Sequence, residues 1–188
     1  AFVSRKGKES GRDTYLLSDL FIMRLYLPGW LFRASLPYSQ SVVSGNSRSD
    51  LGDLLFEAGA SGEYVDWRFR ALLFASVPSS DYDAPRTNIG AGAWSVGPNV
   101  SLTRYLGGKK YDLDLWAQYA FNFTNPATRV KAGNAFSYAF AAAALVNPGL
   151  PVRAGIEQRG LLADPNTVGG RSAGQWGRTQ LSAGPSLM

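Results

Sequence analysis

The chain has no cysteine and no histidine among its 188 residues, and each absence removes a class of chemistry. Without cysteine there is no disulfide framework and no thiolate metal site. Without histidine there is no Ser-His or Cys-His dyad and no imidazole ligand for zinc, so the common routes to nucleophilic hydrolysis are closed. Long hydrophobic runs are missing too. The longest, Ala139 to Val146, falls far short of the roughly 20 residues a spanning helix needs. The formal charge is +5 and the pI near 9.6, yet the basic residues are scattered. Their one cluster, Ser4 to Lys8, has no interleaved aromatics, so nucleic acid is not expected as a partner. No signal-peptide pattern opens the chain; AFVSRKGKESG reads as a mature or truncated start.

What is present is aromatic and glycine-rich. Trp, Tyr and Phe make up 13% of the chain and accompany 21 glycines, while the mean hydropathy stays slightly negative. A membrane β-barrel has that profile, because a lipid face and a polar lumen face average out. The stretch YDLDLWAQYAFNF, Tyr111 to Phe123, shows the pattern directly. Tyr111, Leu113, Leu115, Ala117, Tyr119, Phe121 and Phe123 alternate with Asp112, Asp114, Gln118 and Asn122; only Trp116 and Ala120 blur it. A strand with two such faces has one side in oil and one in water.

The same period recurs along the chain. It predicts strands over residues 14–27, 30–38, 53–60, 64–77, 93–106, 111–123, 134–146 and 151–161, and a ninth beginning near 178. The connections alternate between short turns, at 28–29, 61–62, 107–110 and 147–150, and long loops, near 39–52, 78–91, 124–133 and 163–177. Outer-membrane barrels place short periplasmic turns at one end and long loops at the other. About twelve residues at roughly 3.3 Å each, tilted some 40°, cross on the order of 30 Å. The expected fold is therefore all-β: an antiparallel up-and-down transmembrane β-barrel forming one domain over residues 1–188. About nine strands are legible. Bacterial barrels have even numbers, so about ten to twelve are expected in a whole protein, with this chain incomplete at its C-terminus. A soluble β-sandwich is the competing fold. Tyr15, Trp30, Tyr64, Trp67, Trp94, Tyr105, Tyr111, Phe123 and Phe136 lie near strand ends, where interfacial girdles form.

Polar residues on the face away from lipid would line the lumen. The candidates are Arg24, Asp66, Arg68, Arg70, Asn99, Asp112, Asp114, Gln118, Asn122, Arg153, Glu157 and Arg159. Asp112 and Asp114 share a face roughly 7 Å apart, a spacing that a carboxylate-pair hydrolase uses, but adjacent lumen positions explain it more simply. The charged set either braces a narrow barrel or forms a constriction that selects solutes. No residues point to a cofactor or metal. Arg48, Arg86, Arg129, Lys131 and Arg171 fall in the long loops, where lipopolysaccharide phosphates would meet them.

Several stretches also resemble a known family. DTYLLSDLFIMRLYLPGW, LPYSQ and DLGDLLFEAG are similar to the opening hairpins of the channels grouped as the MetA-pathway-of-phenol-degradation family. GAWSVGPNVSLTRYLGGKKYDLDLWAQYAFNF, AGNAFSYAFAAAALV and GRTQLSAGPSL fit the same pattern. The resemblance covers nearly the whole chain but rests on strand-and-turn patterning, so it carries no site residues over. It implies a channel in the bacterial outer membrane that passes small, aromatic or hydrophobic solutes, and not an enzyme. The expected partners are outer-membrane lipids, lipopolysaccharide and small-molecule solutes, with room for a homo-oligomer or a larger membrane assembly. The alternative is a structural or adhesive barrel acting through its outer loops.

Overall fold

A computed structural model describes residues 3–9, 12–43, 46–79, 92–147, 150–173 and 178–187. Fourteen strands form within them: β1 Val3–Glu9, β2 Arg12–Leu27, β3 Trp30–Val43, β4 Asn46–Leu51, β5 Leu54–Tyr64, β6 Trp67–Val77, β7 Ser95–Leu106, β8 Tyr111–Asn122, β9 Val130–Lys131, β10 Ala135–Asn147, β11 Leu150–Ala163, β12 Thr167–Val168, β13 Arg171–Ser172 and β14 Arg178–Leu187. The main sheet runs β1-β2-β3-β5-β6-β7-β8-β10-β11-β14, with β4 also paired to β3, and every pairing is antiparallel. Apart from β4 and the short β9, β12 and β13, the strands pair in chain order, the topology of an up-and-down barrel wall. The sheet is open. Among the described residues β14 is paired on one side only, and β1 covers β2 only along residues 12–18.

All nine strands expected from alternation are present, with β1 ahead of them, but three boundaries differ. The segment 39–52 is not a simple loop: β3 continues to Val43 and turns back as β4. Its sequence, SQSVVSGNSRSDLG, has no alternation of apolar and polar residues, so hydrophobic periodicity is silent there even though the backbone is paired. The turn expected at Ser61-Gly62 lies at Val65-Asp66 instead, with Tyr64 opposite Trp67. Val65 takes the unusual φ of 55° to close it. Gly62 is an in-strand residue because the Phe69 ring occupies the space where its side chain would stand. At the same end, Gly29 closes the β2–β3 turn with φ 76°, which costs glycine little. The third difference is in the last two long loops, where β9, β12 and β13 form a separate three-stranded sheet.

Burial is inverted relative to a soluble protein. Large apolar residues on one face are exposed, including Phe21, Met23, Leu25, Phe32, Phe56, Phe69, Leu73, Leu102, Leu115, Phe140, Ile156 and Leu181. The opposite face holds what little is buried: Leu31, Leu72, Phe74, Tyr105, Ala141 and Ala143 beside Ser35, Glu57, Asn99 and Asp112. Trp116 and Ala120, which blur the alternation in sequence, belong to this inner face, where a narrow interior takes one large and several small side chains. Outward aromatics form two bands. Trp30, Tyr64, Trp67 and Tyr111 lie near the turns, and Trp94, Phe121, Phe123 and Phe136 near the long connections. Tyr105 is a correction: it faces inward and is only 7% exposed, so it belongs to no girdle. The side chain of Tyr15 lies outside the described residues.

Candidate functional site

Residues directly opposite in an antiparallel ladder share a face, so register assigns the inner side. One rung runs Arg24, Arg33, Glu57, Phe74 and Gly97 across five strands. Another runs Glu63, Arg68, Thr103, Asp114, Ala141 and Glu157, and a third runs Ser61, Arg70, Ser101, Trp116, Ala139 and Arg159. Asn99 faces Gln118, Tyr105 faces Asp112, and Ser95 faces Asn122. Arg153 stands on the same side of β11 as Glu157 and Arg159. Eleven of the twelve candidates thus share one face: Arg24, Arg68, Arg70, Asn99, Asp112, Asp114, Gln118, Asn122, Arg153, Glu157 and Arg159. Asp66 does not. It sits in the β5–β6 turn, because the hairpin closes after Tyr64, and its carbonyl accepts the Tyr105 amide at 2.8 Å.

The inner face is held together by charge pairs that cross strands. Glu57, its side chain 1% exposed, pairs with Arg33 on β3 and accepts a hydrogen bond from Asn99 Nδ2 on β7 at 2.7 Å. Three strands are tied through one carboxylate. On the far side Arg153 Nη1 stands 3.3 Å from Asp112 Oδ1, while its Nη2 donates to the Lys109 carbonyl at 2.8 Å. Thr103 Oγ1 donates to Asp114 Oδ1 at 2.5 Å. Each carboxylate of the Asp112–Asp114 pair thus has a partner on another strand. Arg159 donates twice to Glu157, at 2.5 and 3.0 Å. Tyr105 lies beneath two cations, with the Arg68 guanidinium 5.4 Å and Lys109 Nζ 5.2 Å from its ring. Arg68 also donates to Glu63 at 2.6 Å.

Not every member of the face is a wall residue in the same sense. Asn122 turns its amide to the Gly133 carbonyl at 2.7 Å, and Asn134 Oδ1 accepts the Asn122 backbone N–H at 3.1 Å. Asn166 Oδ1 accepts from Gly133 N–H at 3.0 Å, and Gly169 N–H donates to the Arg129 carbonyl at 3.0 Å. The connections β8–β10 and β11–β14 are thereby laced into one unit around the small sheet, and Asn122 anchors it. Arg24 and Arg70, by contrast, make no ion pair among the described residues.

Arg33, Glu57 and Thr103 lie on this face as well, although they are not among the candidates read from the sequence. Opposite charges on successive strands are the signal that could have found the Arg33–Glu57 pair. Recognising it needs the β3–β5 register, which the β3–β4 hairpin between them hides.

Residues 3–188 match the family described as "Putative MetA-pathway of phenol degradation". No curated protein sequence matches the chain significantly. Among solved structures, an outer membrane channel from Pseudomonas putida F1 is similar, with a TM-score of 0.66 at 18% identity. The likeness covers 86% of this chain and 65% of that one, so the chain spans just under two thirds of that channel's length. At this identity the likeness is one of fold: the wall of an outer-membrane β-barrel.

Proposed function

Because the chain belongs to the putative MetA-pathway-of-phenol-degradation family, we propose that it forms the wall of a channel in the bacterial outer membrane, not an enzyme, and that this channel passes small aromatic or hydrophobic solutes. The observation that carries the reading is the inverted distribution of side chains. One face exposes a continuous apolar belt between two aromatic bands, and the other gathers Arg33, Glu57, Asn99, Asp112 and Arg153. In water that arrangement exposes a large apolar area at considerable cost. In a bilayer it is the stable one, with lipid outside and a polar lumen within.

The inner-facing candidates would then line the lumen, with the cross-strand pairs setting its width and charge. Lipid tolerates no unpaired strand edge, so the reading requires the free edges of β2 and β14 to be satisfied, by each other or by further strands. Arg129, Lys131 and Arg171 lie on the laced long connections, where the phosphates of lipopolysaccharide would meet them. Arg48 belongs to β4, and Arg86 lies outside the described residues. The small sheet into which those connections are paired favours, as a second reading, a structural or adhesive barrel acting through its outer loops.

Planar-bilayer conductance of the full-length protein separates the two. Discrete steps above bare lipid, from material that migrates faster unboiled than boiled, support the channel. A heat-modifiable barrel that never conducts supports the structural or adhesive one.

A further inference from the structure

We infer that the turn end of the inner face holds a subsite for a small aromatic monocarboxylate. The inference deepens the channel reading and rests on it for its biological setting, though not for its test. A cavity of about 470 Å³ opens there between β2, β3, β5 and β6, lined by Arg24, Tyr26, Trp30, Glu63, Arg68 and Arg70 among others. That volume lies in the range of ordinary small-molecule sites. Three guanidinium groups face one carboxylate, a formal surplus of +2 from three cations and one anion.

The surplus is not evenly shared. Arg68 is engaged by Glu63 at 2.6 Å. Arg24 stands directly opposite Arg33 in the β2–β3 ladder, a like-charge pairing, and the nearby Glu57 is already taken by Arg33 and Asn99. Arg70 buries its Nε–H without an acceptor. Two cations and a buried donor are left without an anion. A carboxylate supplies what is missing, since its two oxygens match the planar guanidinium fork. Tyr26, exposed and on the same face as Arg24, offers ring surface at the cavity, which an inorganic ion would leave unused. Glu63 stands on the rim and repels a second negative charge, which disfavours dianions such as phosphate.

The test is calorimetric titration of folded, detergent-solubilised full-length protein with benzoate, phenol and inorganic phosphate, repeated on R24Q and R70Q. Saturable benzoate binding is expected, with phenol and phosphate each at least about tenfold weaker, and benzoate about tenfold weaker in each variant. The gel-mobility shift on boiling checks that each variant is folded. If R70Q fails to fold, R24Q decides, because Arg24 is exposed and braces nothing among the described residues. No saturable benzoate binding, phosphate equal to benzoate, or unchanged affinity in R24Q overturns the inference. Binding is scored separately from conductance. A protein that conducts but does not bind benzoate loses the subsite and keeps the channel; one that binds and does not conduct does the reverse.

Discussion

Removing the charge of Glu57 should destabilise the barrel more than removing any exposed charge on the same face. Its side chain is 1% exposed and faces the Arg33 guanidinium, which is 29% exposed. Breaking a fully buried ion pair costs about 3–5 kcal/mol, because the surviving charge is left without a partner. Water reaches part of Arg33, so Glu57→Gln, which keeps an acceptor oxygen for Asn99, should cost about 2–3 kcal/mol. Glu57→Leu also strands the Asn99 donor and should cost about 3–5 kcal/mol. The pair Arg33→Met with Glu57→Leu removes both charges and should recover most of that loss. Urea unfolding of the protein refolded into lipid vesicles, followed by tryptophan fluorescence, gives each value. Glu63→Gln, at the exposed Arg68 pair, is the control and should leave the midpoint unchanged. A Glu57→Gln cost below about 0.5 kcal/mol, or additive single and double variants, would refute the argument that this carboxylate ties three strands together.

Leu73 is 69% exposed in the middle of β6, and Leu73→Arg should cost about 2–4 kcal/mol in the same assay if that face meets lipid. A substitution that is silent there would place the face in water. In single-tryptophan variants, lipid-borne quenchers should reach Trp30, Trp67 and Trp94 and spare Trp116, which faces inward opposite Ser101 and Ala139. Equal quenching of Trp116 would reverse the assignment of faces. Asn122→Ala removes the amide that holds the Gly133 carbonyl, so hydrogen exchange should accelerate over residues 130–133 while β8 itself stays protected. Acceleration spread along the whole of β8 would show that Asn122 stabilises the strand and not the small sheet.

The presence of nine strands, their outward faces and the alternation of connection lengths were all legible in the chain, because each is local. Once Phe69, Leu73 and Leu115 are known to point outward, a period of two assigns every residue between them. Parity therefore placed Arg24, Arg70, Asp112 and Arg159 on one face without any knowledge of their neighbours. It failed at strand ends. Tyr105 read as a girdle residue from its nearness to a turn, although its parity with Thr103 already turned it inward beneath Arg68 and Lys109. Asp66 read as a strand residue because nothing in Ser61-Gly62 announces that Phe69 will cover the glycine and carry the hairpin on to Tyr64.

Tertiary structure alone decided which charges meet. Whether Glu57 faces Arg33, or Arg153 comes within reach of Asp112, depends on the register between strands, and register is set by hydrogen bonds between segments far apart in sequence. The β3–β4 hairpin and the sheet of β9, β12 and β13 were likewise invisible, since these segments carry no run of alternating apolar and polar residues. Hydrophobic pattern is written where a strand separates two solvents; where both faces are polar, only the pairing of backbone groups holds the strand, and that pairing leaves no mark on composition.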